Sequence, residues 1–399
     1  MTQQKSVIIA SAHLLDGPLK LGSAHLARCF AEAGYRTLYL NAPTSLLHWA
    51  NPGSRAAAAQ RMSALGGKQT PIANLSQLTP LTFLPHHNSP ALSSRFALDN
   101  WPAFTMPRIA AQLSRAGFDK ADAVIFDSVM FWPLVKKLGL ASVYRVADNV
   151  SGFAVNTRAM IDLHAEAIRD ADFVFYTSND LAHDARLRSR PSRIIPNGVY
   201  ASLFEAPQSK PPEYRALKAP IVVYAGAIES WFDTNGFRIA SERFPDVNFV
   251  VIGPNSDRLW SDTARPNVHV LGSRPHALLP AYLQHAHVGI IPFDLAKNGA
   301  MLDGVCPLKL FEYLACGLTV VSFGGKGVLA LDAPAHLYDP RPGALCPSAT
   351  FSDALAAALR QLPVPEATRE ARRGFARDAD WTSRFAEIVE GMRAAGIKI

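Results

Sequence analysis

Short apolar runs rich in β-branched residues alternate with helical stretches along most of the chain, and this alternation is the strongest constraint on the fold. Turn-forming residues flank each run, and helices fill the intervals, as in chains whose parallel strands are joined by helical crossovers. The sequence therefore predicts an α/β protein built from doubly wound parallel sheets. The runs predicted as strands lie at residues 6–10, 35–40, 123–126, 142–145, 173–177, 221–225, 248–252, 268–271 and 288–291.

A segment rich in proline separates two sets of alternating elements. It reads Ala-Pro-Gln-Ser-Lys-Pro-Pro over residues 206–212. Such segments are typical of domain boundaries, and a chain of 399 residues is long enough for two or three domains. The predicted organisation is a first domain at 1–205, a linker at 206–218, a second domain at 219–375 and a charged terminal helix at 376–399.

Composition excludes several classes of protein. The chain has no apolar run of the roughly 20 residues that a membrane-spanning helix needs. Its first residues lead straight into a strand and do not form a secretory signal. The four cysteines have no metal-binding spacing, and no Asp-x-Asp stands in a strand-end loop. We therefore expect a cytoplasmic protein with reduced thiols, no bound metal and no cofactor.

The formal net charge of +7 indicates an anionic partner. Such an excess can attract nucleic acid, an anionic membrane surface or acidic substrates. The sequence has no block of lysine and arginine and no RNA-binding signature, so nucleic acid is not expected. Peripheral contact with the cytoplasmic face of a bacterial inner membrane is the remaining expectation for a macromolecular surface.

One predicted helix, at residues 307–317, combines an apolar surface with two charges. Pro307 suits the first helical position and Gly317 suits a left-handed end. Lys309 and Glu312 are three residues apart and lie side by side near the helix start, where free N–H groups favour an anion. A nucleotide-sugar fits this pattern, with its diphosphate against Lys309 and its ribose hydroxyls against Glu312. A local ion pair on a helix edge is the alternative.

This helix resembles the donor-site helix of GT-B-fold glycosyltransferases. The matching run is Pro-Leu-Lys-Leu-Phe-Glu-Tyr-Leu-Ala-Cys-Gly, residues 307–317, in which the family's lysine faces the diphosphate and its glutamate faces the ribose. The run Ile-Pro-Asn-Gly-Val at 195–199, with Phe204 after it, is similar to the end of the family's N-terminal domain. Ser-Ala-His at 11–13 and Tyr-Arg-Val-Ala-Asp-Asn at 144–149 resemble segments of bacterial exopolysaccharide transferases of the glucuronosyl and teichuronic-acid types.

The resemblance implies a GT-B fold, with two Rossmann-like domains facing a cleft and a terminal helix that crosses back to the first domain. It implies transfer of a hexosyl or glucuronosyl group from a nucleotide-sugar, UDP-linked by expectation, to a glycan or lipid-linked glycan bound by the first domain. The donor-binding residues expected are Lys309, Glu312, Gly226, Ile228, Ser273, Pro307 and Leu308, and those on the acceptor side are His13 and Asp16.

Asp148 is the predicted general base, and Asp127 is the second candidate. Both follow buried strands of the first domain, and Asp148 matches the aspartate that serves as base in the family segment. An aspartate just after a strand can instead cap the next helix, and the sequence leaves this alternative open for Asp148.

The donor sugar, the acceptor and the stereochemical outcome stay open. Retaining members of the family commonly carry two glutamates eight positions apart, whereas Gly304 stands eight positions before Glu312. A uronate donor would need a cationic partner, for which Arg274, Lys297 and Lys326 are candidates. Two other functions also remain open, a nucleotide-sugar epimerase of the same fold and a catalytically silent sugar-binding partner in polysaccharide assembly.

Overall fold

The computed structural model describes residues 4–17, 20–50, 52–84, 92–153, 155–187, 189–254 and 265–399. The chain divides into two compact units, a first unit of Met1–Pro196 with Phe385–Ile399 and a second unit of Asn197–Arg384. The division follows Pro196 and not residue 205 as predicted, because Asn197 already bonds within the second unit, from its Nδ2 to Cys306 O at 2.6 Å. None of the helices in the described ranges is long and apolar enough to cross a membrane.

The first unit is built on a sheet whose strand order, over the described residues, is β3-β4-β2-β1-β5-β6-β7-β8. Neighbouring strands run parallel except for the edge pair of β3 and β4, which is antiparallel. The strands are β1 (Ser6–Ser11), β2 (Arg36–Asn41), β3 (Lys68–Gln69), β4 (Leu75–Leu78), β5 (Ala123–Phe126), β6 (Ala141–Val146), β7 (Phe173–Tyr176) and β8 (Ser192–Ile194).

Helices connect these strands, as a parallel sheet requires. Short 3-10 helices at Trp101–Phe104, Val129–Phe131, Val150–Gly152 and Asp180–Leu187 complete the connections. The α-helices are α1 (Gly22–Glu32), α2 (Leu46–Ala50), α3 (Pro52–Met62), α4 (Arg95–Asn100), α5 (Ile109–Ala116), α6 (Trp132–Leu138) and α7 (Arg158–Asp170).

Both faces of the first sheet are buried. Because side chains alternate along a strand, Ile8 and Ala10 of β1 belong to one apolar cluster while Val7 and Ile9 belong to another. The second cluster also contains Met392 of the C-terminal segment, which is fully buried. The end of the chain therefore supplies one of the layers that cover this sheet.

The second unit has a sheet in the order β11-β10-β9-β12-β13-β14, and its described neighbours are all parallel. Its strands are β9 (Ile221–Ala225), β10 (Asn248–Ile252), β11 (Val268–Gly272), β12 (Val288–Ile291), β13 (Thr319–Phe323) and β14 (Ala335–Tyr338). Its helices are α8 (Ala201–Glu205), α9 (Thr234–Arg243), α10 (Leu279–Gln284), α11 (Leu295–Leu302), α12 (Leu308–Ala315), α13 (Lys326–Leu329), α14 (Phe351–Leu359) and α15 (Glu366–Asp378), with 3-10 helices at Pro212–Tyr214 and His276–Leu278.

A last helix, α16 (Trp381–Ala394), begins in the second unit and ends in the first. Its Phe385 meets Phe30 of α1 edge-on, with 4.9 Å between the ring centroids. The predicted fold class is confirmed, with two Rossmann-like units of parallel sheet. The strands β3, β4, β8, β13 and β14 were not among the predicted runs.

We expect alanine to act in opposite directions at two helical glycines. A Cβ at Gly391 of α16 would lie 2.4 Å from the buried ring of Phe173, whereas a Cβ at Gly374 of α15 would meet no atom within 4 Å. Gly391→Ala should lower the thermal unfolding midpoint, because overpacking costs about 1–3 kcal/mol and outweighs the helix propensity gained. Gly374→Ala should raise the midpoint through a gain of about 0.5–1 kcal/mol. A higher midpoint for Gly391→Ala would contradict the close contact.

Candidate functional site

Two glycine turns touch each other at the carboxyl ends of β9 and β10. Gly226 follows β9, and its N–H donates to Ile252 O at 2.8 Å. Gly253 follows β10, and a Cβ there would lie 1.8 Å from Gly226 O. The two backbones approach this closely because Gly253 has no side chain.

The ammonium of Lys309 lies directly over the first of these turns. A Cβ at Gly226 would be 2.1 Å from Lys309 Cε and 2.7 Å from its Nζ. Nζ also lies 5.5 Å from the ring centroids of both Tyr224 and Phe293. Within the described part of the chain, Nζ donates no hydrogen bond. Burial lowers the pKa of this ammonium, and the charge of Glu312 opposes the shift. A half-buried cation without an acceptor is suited to an anionic ligand.

Lys309 is in the first turn of α12, so backbone donors lie beside its charge. The helix begins at Leu308, with Pro307 as an extended N-cap at φ −76° and ψ 127°. Pro307 therefore stands one position before the place that the sequence analysis gave it, the first helical residue. The N–H of Leu310 donates to Pro307 O at 3.2 Å. The N–H groups of Leu308 and Lys309 have no carbonyl partner within the helix, and the dipole adds partial positive charge to that of Lys309.

Glu312, one turn further along α12, is buried and paired with a histidine that the sequence analysis missed. His276 Nε2 lies 2.8 Å from Glu312 Oε1. Only 14% of the His276 side chain and 9% of the Glu312 side chain are exposed. Over the described ranges, this is the one hydrogen bond that the carboxylate accepts. His276 follows β11 by four residues, so the rule that strand ends carry ligand-binding groups could have identified it.

The other predicted donor residues differ in their surroundings. Ser273 is exposed in the loop that leads to His276, and Leu308 is half-buried at the start of α12. Ile228 is 5% exposed and belongs to the core. Arg274 donates to Glu213 at 3.1 Å and to Leu271 O at 2.5 Å, which ties it to the second unit's own structure.

The Pro-Asn-Gly-Val run supports the start of α12. Asn197 Nδ2 donates to the carbonyl of Cys306, immediately before Pro307. A Cβ at Gly198 would lie 2.6 Å from Ala379 O, so this position leaves no room for a side chain. The run therefore has a structural role that extends beyond forming a turn.

In the first unit, Asp127 is held by three donors. The hydroxyls of Ser11 and Ser23 donate to its Oδ2 at 2.7 Å and 2.6 Å. The backbone N–H of Ala12 donates to its Oδ1 at 3.4 Å. These bonds join the end of β5 to the end of β1 and the start of α1, which favours a structural role for Asp127.

Asp148, which follows β6, is an accessible carboxylate that does not cap a helix. The cap of the following 3-10 helix is Asn149, whose Oδ1 accepts from Ser151 N at 3.2 Å. No group in the described ranges donates a hydrogen bond to Asp148, and its side chain is exposed. The structure thus resolves the alternative that the sequence left open, since the capping role belongs to the next residue.

The electrostatic surroundings of Asp148 raise its pKa. Desolvation by the surrounding protein is the largest cause, the charges of Arg145 and His13 oppose it, and Asp127 adds to it. A raised pKa makes the ionised form of this carboxylate a better proton acceptor than an ordinary aspartate, which suits general-base chemistry.

The two predicted acceptor-side residues lie in the loop after β1. The backbone of His13 is fixed, because its N–H donates to Ser11 Oγ at 3.2 Å and its carbonyl accepts from Tyr39 OH at 2.9 Å. Its imidazole is exposed. Asp16 is also exposed and accepts from Gln77 Nε2 at 2.6 Å. His13 is thus the freer of the two to meet a ligand. The described residues contain no group of three or more His, Cys, Asp or Glu side chains that could hold a metal ion.

Two family models match the two units. Residues 219–363 match glycosyl transferases group 1, and residues 9–177 match the N-terminal domain of glucuronosyltransferase GumK. Among solved structures, sucrose-phosphate synthase from Thermosynechococcus elongatus superposes with a TM-score of 0.67 over 98% of this chain and 99% of its own, at 16% identity. The fold is that of the GT-B glycosyltransferases, and each unit matches a glycosyltransferase model.

Two curated relatives of this chain have glycosyltransferase names. TuaH of Bacillus subtilis, named for teichuronic acid biosynthesis, is 27% identical over 67% of this chain and 66% of its own length. The UDP-glucuronate:glycolipid 2-beta-glucuronosyltransferase of Xanthomonas campestris pv. campestris is 28% identical over 51% of this chain and 49% of its own. The chain therefore spans less than two thirds of the length of either relative.

A second solved structure carries a nucleotide. HepE of Anabaena, in complex with UDP and glucose, superposes with a TM-score of 0.63 at 13% identity, over 98% of this chain and 100% of its own. At this identity the likeness establishes the shared fold.

We expect the two aspartates of the first unit to differ in their effect on stability. Asp127→Ala leaves two buried hydroxyls and one N–H without their acceptor, at about 1–3 kcal/mol for a buried group left unpaired. Asp148→Ala removes no hydrogen bond. Thermal unfolding should therefore show a clear fall in the midpoint for Asp127→Ala and little change for Asp148→Ala. Equal effects would contradict the division of roles.

Proposed function

We propose that this protein transfers a sugar from a UDP-linked donor to a glycan or lipid-linked glycan, without a metal ion. The observation that carries the proposal is the half-buried ammonium of Lys309, which lies over Gly226 and donates no hydrogen bond among the described residues. A leaving diphosphate needs its developing negative charge stabilised by fixed positive groups. The Lys309 ammonium and the free N–H groups of Leu308 and Lys309 supply that charge in the proposed site.

In this proposal, the negative charge of the nucleotide balances the positive charge of Lys309 and of the start of α12. The diphosphate accepts from Lys309 and the start of α12 beside the turn at Gly226, and Glu312 accepts from the ribose hydroxyls. Pro307 and Ser273 border the same site. HepE, which binds UDP, has the same fold, and this supports a uridine nucleotide as the first to test.

Asp148 serves as the base if the reaction inverts the anomeric centre. The acceptor hydroxyl oxygen bonds to the anomeric carbon, the bond from that carbon to the diphosphate oxygen breaks, and the hydroxyl proton passes to Asp148. The diphosphate leaves as UDP. The raised pKa of Asp148 supports this assignment, and the exposed His13 imidazole and Asp16 carboxylate provide polar partners for the acceptor.

The proposed acceptor is lipid-linked and the proposed site of action is cytoplasmic, and the relatives' names support the acceptor. One of them is named for a glycolipid acceptor and the other for teichuronic acid biosynthesis. The net charge of +7 supports a peripheral contact with an anionic membrane surface. An epimerase would instead convert the donor with no acceptor present, and a silent assembly partner would bind without turnover.

We expect UDP to stabilise the protein through Lys309 and Glu312. A ligand at 100 times its Kd that binds only the folded state adds about 2.7 kcal/mol to the free energy of unfolding, so the thermal midpoint should rise with UDP in the presence of EDTA. Lys309→Met should weaken UDP binding about 10- to 100-fold, since hydrogen bonds to charged groups contribute about 1.5–3 kcal/mol. Glu312→Ala should weaken it less, and titration calorimetry should measure both losses.

Lys297→Met is the matched control, because Lys297 is an exposed lysine of α11 in the same unit. It should bind UDP as the wild type does. The absence of any midpoint shift with UDP or UDP-sugars would overturn the transferase proposal, and an equal loss in the two lysine variants would overturn the placement of the diphosphate.

We expect the rate to fall at acidic pH through the protonation of Asp148. A base acts only when ionised, so kcat/KM should fall as the pH drops through the pKa of Asp148, which lies above its ordinary value of 3.8. Asp148→Asn should lower kcat by at least about 100-fold and remove this acidic limb, while UDP binding stays unchanged. Release of UDP in the presence of acceptor, measured across pH, provides the test. A variant that keeps the acidic limb would exclude Asp148 as the base.

A further inference from the structure

The partner of Glu312 gives the donor site a feature that the family resemblance did not include. The buried carboxylate accepts from His276 Nε2 through its Oε1, at 2.8 Å. No other group of the described chain hydrogen-bonds to this carboxylate, so Oε2 remains an acceptor without a protein donor. A buried carboxylate with one oxygen fixed and the other open is incomplete in the absence of a ligand.

His276 reaches Glu312 from a separate element, which itself holds the imidazole in place. The histidine begins the 3-10 helix His276–Leu278 after β11, while Glu312 lies on α12. The ring of Phe204 meets the imidazole edge-on, with 5.7 Å between the centroids. The histidine is thus held between an aromatic ring and the carboxylate.

We propose that His276 is a positioning residue, which holds Glu312 so that Oε2 accepts from a ribose hydroxyl and thereby makes the site selective for ribonucleotides. The inference rests on the proposed function, because it assigns the sugar of the donor nucleotide to Glu312. His276 acts through the carboxylate and does not itself contact the substrate.

The physical reason is the freedom of the glutamate side chain. Glu312 has three rotatable bonds, and a carboxylate that is free to turn away loses conformational entropy when a ligand orders it. A hydrogen bond from an already ordered imidazole fixes the carboxylate before the ligand arrives. Since that bond uses only Oε1, it leaves the second oxygen for the ribose.

A purely structural role for His276 makes a different prediction. If the imidazole only supports Phe204 and the loop after β11, its loss disturbs the whole site. The affinities for all nucleotides then fall together. If the imidazole acts through Glu312, its loss weakens the binding of only some nucleotides. These are the nucleotides that carry the ribose hydroxyl from which the carboxylate accepts a hydrogen bond.

The experiment compares UDP with 2′-deoxy-UDP and 3′-deoxy-UDP by titration calorimetry. The wild type should prefer UDP over at least one deoxynucleotide by about tenfold, the effect of one net hydrogen bond of about 1.4 kcal/mol. His276→Ala should weaken UDP binding about fivefold, since a net hydrogen bond contributes about 1 kcal/mol. Its affinity for that deoxynucleotide should stay within about twofold of the wild-type value. His276→Gln, whose amide can donate near the position of Nε2, should restore most of the preference.

Two further variants complete the test. Glu312→Ala should remove the preference, and adding His276→Ala to it should change the preference no further, as expected when one residue acts through the other. His285→Gln is the matched control, because this half-buried histidine of the same unit contacts Gln208 O at 2.9 Å through its Nε2. The control should keep the wild-type preference.

The possible outcomes distinguish a failure of the inference about His276 from a failure of the proposed function. Failure of the wild type to bind UDP would overturn the proposed function. UDP binding with no preference over either deoxynucleotide, or a preference that survives in both His276 variants, would overturn the inference alone. Equal losses for all three nucleotides in His276→Ala, without rescue by glutamine, would assign the histidine a structural role.

Discussion

The structure of the second unit depends on how closely α12 approaches its sheet. Gly289 of β12 makes the approach possible, because a Cβ there would lie 2.4 Å from Cδ2 of the Tyr313 ring. The hydroxyl of Tyr313 in turn accepts from the N–H of Ala225, the last residue of β9, at 2.9 Å. The helix is therefore fixed both by contact and by a buried hydrogen bond. With the helix this close to the sheet, the side chain of Lys309 lies over the turn at Gly226.

The same approach explains why the site favours an anion. The Lys309 ammonium faces two aromatic rings and a glycine backbone, and cation–π contacts replace only part of the solvation that a buried charge loses. A neutral side chain would suit these surroundings better in the unliganded protein. The charged lysine thus lowers the stability of the unliganded protein, and in the proposed complex the bound diphosphate offsets this cost. Buried ionisable groups with a shifted pKa are characteristic of functional sites.

The two aspartates of the first unit show how similar sequence positions acquire different roles. Both follow a buried strand, and sequence patterns alone could rank them only through the family resemblance. Three hydrogen bonds hold Asp127, whereas Asp148 is exposed and has a raised pKa. The difference arises from the serines that reach Asp127 and from Asn149, which takes the capping role beside Asp148. The oxygens of Asp127 are engaged by three protein donors, whereas no group in the described ranges donates to Asp148.

The sequence predicted the parts of the fold and site that depend on local patterns. Short apolar runs rich in β-branched residues identified most of the strands, and the spacing of Lys309 and Glu312 placed them together on one helix. It missed β4, which reads Leu-Ser-Gln-Leu, because half of its residues are polar and only pairing with β2 makes it a strand. It also missed His276, since the bond to Glu312 joins residues 36 positions apart. Contacts of that kind are set by how elements pack, and no local pattern encodes them.

The identity of the donor sugar depends on charges that the second unit leaves unused. Of the three cations considered for a uronate, Arg274 is already engaged by Glu213, and Tyr282 also donates to that carboxylate, at 3.0 Å. Binding a uronate through Arg274 would require breaking this ion pair, and the remaining carboxylate would then lose its partner. Lys297 is exposed on α11 and could meet a sugar carboxylate only at the cost of ordering a long, solvated side chain. Neither of these two cations is arranged for a uronate in the way that the proposed site arranges Lys309 for a diphosphate.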